Sequence, residues 1–126
     1  MPTQQQTFDT VVAHLRKQGR KAANDTGTCL YRAPNGDRCA AGCLVADEDY
    51  IEEWEGNIVA TFNGCAPLLE PNPVGQYLLD LGHDLELVYE LQSIHDKHDP
   101  EDWEEKWQTL ARRYNLEFPF PQTAPV

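Results

Sequence analysis

The amino-acid sequence predicts an α+β fold that is mainly helical, and three observations favour it. Two stretches, near residues 4–19 and 99–114, repeat apolar side chains at helical spacing. A short apolar and aromatic group at 28–32 precedes an Asn-Gly turn, which is typical of a β-hairpin. We therefore expect an N-terminal helix, a short hairpin, a helix of small residues and a C-terminal pair of helices.

The first predicted helix covers residues 4–19. Thr3 and Gln6 have the spacing of a capping box, in which each residue satisfies a backbone N–H of the other. Gly19 is a suitable end because glycine adopts the left-handed conformation that often closes a helix. The apolar stripe falls at i, i+3, i+4 and i+7, on Phe8, Val11, Val12 and Leu15.

The predicted hairpin has one strand at 28–32, a turn at 33–37, and a return strand that begins at Arg38 and Cys39. Proline and Asn-Gly in the turn supply the dihedral angles that a tight reversal needs. Residues 39–46 are small and apolar, so they predict a short buried helix or a turn. The next segment, 47–55, combines six acidic residues with three large apolar ones and predicts an exposed loop or short helix.

In the second half of the chain, the sequence predicts an irregular connection over 56–73 that contains one ordered piece at 58–62. Three helical stretches are predicted after it. Helical patterning resumes at 74–81, and Asp84 is placed to cap a helix that runs to about Lys97. Asp99 and Pro100 fit the N-cap and first position of the last helix. The apolar face of that helix is Trp103, Trp107, Leu110, Ala111 and Tyr114. We expect one domain over 1–117 and a proline-rich tail over 118–126.

The charge of the chain is −11 and is concentrated in its middle. Residues 39–105 carry seventeen acidic side chains and a single basic one, Lys97. Such a surface repels phosphates, which argues against direct binding of nucleic acid. It favours binding of a basic protein partner, or it serves only to keep the protein soluble. The chain has no apolar run long enough to cross a membrane, nor the features of a signal peptide, so we expect a soluble cytoplasmic protein.

Three groups of residues are candidates for function. Near the turn, an aromatic ring and two guanidinium groups could bind an anionic nucleotide; these are Tyr31, Arg32 and Arg38. The acidic segment could bind a basic partner through Asp47, Glu48, Asp49, Glu52, Glu53 and Glu55. A weaker alternative is a zinc site formed by Cys29, Cys39, Cys43 and Cys65. Their spacing lacks the closely spaced pairs typical of structural zinc, so buried reduced thiols are favoured.

No known catalytic motif is present, and we expect a binding protein rather than an enzyme. The run from His95 to Asp99 looks rich in metal ligands, but it also lies between two predicted helices. Histidine and lysine there complement the negative end of the first helix dipole. We therefore expect a structural role for this run.

Residues 28–56 resemble a known family, and so does the segment 91–96 with the Trp-bearing helix after it, so that the resemblance covers most of residues 8–115. The pattern is Tyr-Arg-x-Pro-x-Gly-x-x-Cys-Ala-x-Gly-Cys-Leu over 31–44, Asp-Glu-x-Tyr over 47–50 and Glu-Gly at 55–56. It resembles small uncharacterised proteins of tailed phages and bacterial genomes, from which Val45 and Ala46 depart where the pattern prefers Ile-Pro. The resemblance implies a small accessory protein, phage-encoded in one reading, that binds and inhibits a host or defence protein in the host cytoplasm.

Overall fold

The computed structural model describes residues 2–23, 30–51 and 73–118, and its regular structure there is helical. The described α-helices are α1 (Gln4–Gln18), α2 (Pro73–Asp80), α3 (Leu85–Lys97) and α4 (Trp103–Arg113). Within the same three ranges, 3-10 turns lie between these helices at Gly42–Leu44, Asp47–Asp49 and Pro100–Asp102. The predicted ordered piece at 58–62 and most of the tail lie outside the described residues.

Helix α1 confirms its prediction, including both ends. The Thr3 hydroxyl accepts the Gln6 backbone N–H at 3.0 Å, and the Gln6 side chain accepts the Thr3 N–H at 2.8 Å. Gly19 ends the helix with a φ of 70°, and its N–H donates to the carbonyl of Leu15 at 2.8 Å. The capping box and the glycine together satisfy backbone groups that would otherwise have no partner at the two ends.

The predicted β-hairpin, and with it the α+β fold class, is wrong. Within the described residues there is no β-strand, and the fold is all-α. The turn does form, since the Gly36 N–H donates to the carbonyl of Ala33 at 2.9 Å. In the described part of the two arms, residues 30–32 and 38–39, there is a single bridge, between Arg32 and Arg38. The arms cannot extend into a ladder, because the chain folds into the 3-10 turn Gly42–Leu44 soon after the bridge.

The small residues at 39–46 explain this early bend. The sequence left a short helix or a turn open here, and the structure has a 3-10 turn of helix at Gly42–Leu44 that follows turn residues at 40–41. Gly42 packs directly on the backbone of Tyr31, and Ala40 and Ala41 are fully buried. Short side chains thus allow the segment to pack into the core of the protein instead of continuing as the outer strand of a hairpin.

The predicted pair of C-terminal helices is confirmed, with one correction. Asp84 caps α3, because its carboxylate accepts the backbone N–H of Glu86 at 3.0 Å. Asp99, however, makes no capping hydrogen bond through its side chain. A 3-10 turn follows Asp99 and α4 begins at Trp103, so the predicted role of Asp99 as the cap of that helix is wrong.

The core consists of two adjoining clusters. The larger cluster joins α1, α3 and α4 and contains Phe8, Val11, Val12, Leu15, Ala40, Leu87, Leu91, Ile94, Trp103, Trp107, Leu110 and Ala111. The smaller one joins the turn region to α2 and α3 and contains Ala22, Tyr31, Ala33, Cys39, Ala41, Val45, Val74, Leu78, Leu85 and Val88. The tryptophans of α4 are therefore core residues, as their spacing predicts.

Candidate functional site

The 3-10 turn Asp47–Asp49 and the two residues after it form a surface that we call the acidic edge (residues 47–51). Its three carboxylate side chains belong to exposed residues. Ile51 at its end is 46% exposed, which is unusual for a large apolar side chain in this protein. The other predicted partner-binding acids lie outside the described residues: Glu52, Glu53 and Glu55.

Asp47 holds the turn region and the acidic edge together. Its Oδ1 atom lies 2.6 Å from a guanidinium nitrogen of Arg38 and 2.9 Å from one of Arg32. Arg32 also donates to the carbonyl of Val45 at 3.1 Å. The two cations predicted to bind an anionic nucleotide are therefore paired with a carboxylate of the protein itself, and a nucleotide would have to displace that carboxylate.

Tyr50, and not Tyr31, places its aromatic ring beside an arginine of the turn region. Tyr31 is 3% exposed and belongs to the core, so its ring offers no open face beside the two arginines. Tyr50 lies instead against Arg32, whose guanidinium carbon is 4.6 Å from the centre of the Tyr50 ring. This cation–π contact fixes the end of the acidic edge next to Ile51.

Helix α2 supports the acidic edge from a second side. The hydroxyl of Tyr77 donates to the carboxylate of Asp49 at 2.8 Å and accepts the backbone N–H of Ala46 at 3.3 Å. Burial raises the pKa of Tyr77, and the carboxylates of Asp49 and Glu48 add to this shift. Among the described residues, the Glu48 carboxylate makes no hydrogen bond or ion pair, so it is the acidic group of the edge that is left for a partner.

The two described cysteines are free, and their sulfur atoms contact backbone groups. The Cys43 thiol donates to the carbonyl of Ala40 at 3.1 Å, and the Cys39 sulfur accepts the N–H of Gly42 at 3.3 Å. Burial raises the pKa of Cys43 to about 12, whereas zinc binds the thiolate form. Cys29 and Cys65, the other members of the suggested zinc set, lie outside the described residues.

In the described part of the chain, one group of carboxylates has oxygens close enough together to share a metal ion. It consists of Asp99, Glu101 and Asp102. All three residues are exposed. Acidic groups at a protein surface are commonly this close without a metal, and nothing else near them points to one.

A buried polar network in α3 is the feature that the sequence analysis missed. The Nε2 atom of His95 accepts the backbone N–H of Ala22 at 3.1 Å, so its proton lies on Nδ1 and is donated to Asp96 at 2.7 Å. Gln92 accepts the N–H of Ala41 at 2.8 Å and donates to Asp96 at 2.8 Å. His95 is in the last turn of α3, as expected, but it is completely buried.

A signal for this network is present in the sequence. Gln92 and His95 lie three residues apart on the same face as Val88, and that face is otherwise apolar. Polar side chains on a core face have hydrogen-bond partners in folded proteins. The partners are backbone groups about fifty and seventy residues earlier in the chain, which the local pattern does not reveal.

The remaining described histidines also contact other parts of the protein. The ring of His14 lies 3.1 Å from the carbonyl of Arg38, and that of His83 lies 2.7 Å from the hydroxyl of Thr7. Burial lowers the pKa of His83. His98 ends α3, where its carbonyl accepts the indole N–H of Trp103 at 3.1 Å.

None of the described helices is both long and apolar enough to cross a membrane. No protein family, curated protein or solved structure gives a significant match to the chain. The resemblance to phage and bacterial proteins therefore stays a prediction.

Proposed function

We propose that this protein is a non-catalytic binding protein that docks a basic surface of another protein through its acidic edge. The observation that carries the proposal is the exposure of Glu48 and Asp49 beside the exposed apolar side chain of Ile51. A protein interface has an apolar centre and a polar rim, and an exposed apolar side chain with polar neighbours fits that arrangement. The resemblance noted above would make the partner a host or defence protein.

The contacts that hold the acidic edge in place also support binding. Asp47 is held by two arginines, Asp49 by Tyr77, and Tyr50 by Arg32. A surface that is already ordered loses less conformational entropy when a partner binds, so more of the contact energy appears as affinity. The negative field of the chain would, in addition, speed the approach of a basic partner.

The test compares two charge reversals of the same kind. Glu48→Lys removes the carboxylate of the edge that has no described partner. Glu117→Lys makes the same change in net charge at an exposed position whose backbone, but not whose side chain, makes described hydrogen bonds. Both variants should keep the melting temperature of the wild type, because neither loses a described side-chain contact.

The wild type and the two variants are immobilised and exposed to a bacterial lysate. The proteins that they retain are identified by mass spectrometry. We expect a basic protein that is retained by the wild type and by Glu117→Lys and is lost with Glu48→Lys. Calorimetry with that purified protein should show an affinity at least about tenfold weaker for Glu48→Lys, since charged interface groups contribute energies of this order. Equal retention by the two variants would contradict the proposal.

A further inference from the structure

A groove of about 200 Å³ lies between α3 and α4. None of its lining residues belongs to the acidic edge. Ile94 and Leu110, which are mostly buried in the core, line its apolar side. Ser93 and Thr109 line it as well, and the Thr109 hydroxyl donates to the carbonyl of Glu105 at 3.1 Å. Its basic side chains are those of Lys97, Lys106 and Arg113, with His98 beside them. The groove thus combines apolar walls with cationic groups.

The charge of the groove is opposite to that of the whole chain. Its acidic residue is Glu90, and the Glu90 carboxylate is paired with Arg113 at 3.0 Å. Within the described residues, the ammonium groups of Lys97 and Lys106 make no hydrogen bond or ion pair. Two such lysines facing one groove are unexpected in a chain with twice as many acidic as basic side chains.

Lys97 has a structural explanation in its own helix, and Lys106 has a weaker one, since it lies four residues after Asp102. Lys97 is in the last turn of α3, where a cation complements the helix dipole. Lys106 lies in the first half of α4, away from the negative end of that helix, and is only partly exposed. Within the described residues no ion pair joins it to Asp102, so its ammonium group is available to an anion in the groove.

We infer that this groove binds a small organic phosphate whose apolar body lies against Ile94 and Leu110 while its phosphate contacts Lys97 and Lys106. A phosphate accepts strong, charge-assisted hydrogen bonds from ammonium and hydroxyl groups. The volume is below the range of roughly 300 to 1,000 Å³ usual for drug-sized ligands, so the ligand is small. This site replaces the pair Arg32 and Arg38, which Asp47 occupies, as the place where the protein binds an anion.

The experiment is an NMR titration of ¹⁵N-labelled protein with phenyl phosphate, inorganic phosphate and phenol. We expect phenyl phosphate to give saturable shifts of backbone amides lining the groove, such as those of Ser93, Lys97 and Thr109. Inorganic phosphate should bind the same residues more weakly, because it lacks the apolar body. Phenol should bind more weakly still, because it lacks the charge.

Two variants of α4 complete the test. Lys106→Gln should weaken phenyl phosphate binding by about tenfold, the usual effect of losing one charge-assisted hydrogen bond. Arg112→Gln removes a charge from an exposed neighbour that does not line the groove, and it should leave the affinity unchanged. The inference is overturned if the two variants bind alike, if the shifts do not saturate, or if inorganic phosphate binds as tightly as phenyl phosphate.

Discussion

At the scale of single residues, Gly42 is a position where the backbone of a neighbouring segment leaves no room for a side chain. A Cβ atom there would lie 2.8 Å from the carbonyl carbon of Tyr31 and 3.1 Å from its Cα, with the carbonyl oxygen closer still. These are backbone atoms in the core, so they cannot move aside as a flexible side chain would. The close packing of the turn region on the 3-10 turn after it therefore depends on this glycine.

We predict that Gly42→Ala lowers the free energy of unfolding by about 3 kcal/mol, the upper end of the usual cost of overpacking. Gly36→Ala is the matched control, since a Cβ at Gly36 meets nothing within 4 Å and only its φ of 93° is unfavourable. That variant should lose about 1 kcal/mol through backbone strain. Urea denaturation measures both values, and equal losses would refute the packing argument.

At the scale of elements, the polar network of α3 holds three separate parts of the chain together. Gln92 binds the backbone of Ala41 in the turn region, and His95 binds the backbone of Ala22 after α1. Asp96 joins the two side chains. The His95 ring also stacks on Trp103, with ring centres 5.6 Å apart, so the network reaches α4.

We predict that Gln92→Leu lowers the free energy of unfolding by about 2 kcal/mol, because the buried N–H of Ala41 loses its acceptor. Gln76→Leu is the control. It removes a side-chain hydrogen bond to Asp80 at 2.9 Å on the exposed surface of α2 and should change stability by less than about 0.5 kcal/mol. A thermal or urea melt that gave Gln92→Leu the same stability as Gln76→Leu would show that the network contributes nothing.

The elements also show what could be predicted from the sequence. The boundaries of α1 and α3 follow from local chemistry, namely the Thr3 capping box, Gly19 and the Asp84 cap. Local chemistry could not show that the predicted hairpin does not form. Its turn signal at Asn35 is correct, but the fate of the arms depends on the packing of Gly42 against Tyr31, which no local pattern records.

The candidate sites were predictable only in part. The exposure of Asp47, Glu48 and Asp49 follows from their charge, but the pairing of Asp47 with Arg32 and Arg38 is a tertiary contact. The groove between α3 and α4 is harder to foresee. Lys97 and Lys106 are nine residues apart on different helices, and only the packing of those helices brings them to one surface.

At the scale of the whole molecule, groups with altered pKa values define the pH range in which the fold is most stable. Burial lowers the pKa of His83 from 6.5, so below pH 6.5 the unfolded chain binds a proton that the folded one resists. Burial raises the pKa of Cys43 from 9.0 to about 12. Burial and the nearby carboxylate of Glu86, followed by other acids, raise the pKa of Tyr114 from 10.0 to about 12.

The signs of these shifts predict a maximum of stability between about pH 6.5 and 9. Stability falls at lower pH because protonation of His83 favours the unfolded chain, and it falls above pH 9 because the unfolded chain ionises Cys43 while the folded one does not. Ionisation of Tyr114 in the unfolded chain steepens the decline above pH 10. Circular dichroism melts from pH 5.5 to 10.5 should give melting temperatures that trace this maximum.

Two single substitutions test which titrating group causes the loss of stability on each side of the pH maximum. His83→Gln should flatten the decline from pH 6.5 to 5.5 and leave the alkaline side unchanged. Cys43→Ala should lower the melting temperature at every pH, since the side chain packs against the core, but it should remove the decline that begins at pH 9. Because only the slopes report the titrating groups, the loss of core packing does not affect the result. A slope below pH 6.5 that persisted in His83→Gln, or one between pH 9 and 10 that persisted in Cys43→Ala, would show that other groups control the stability of the molecule there.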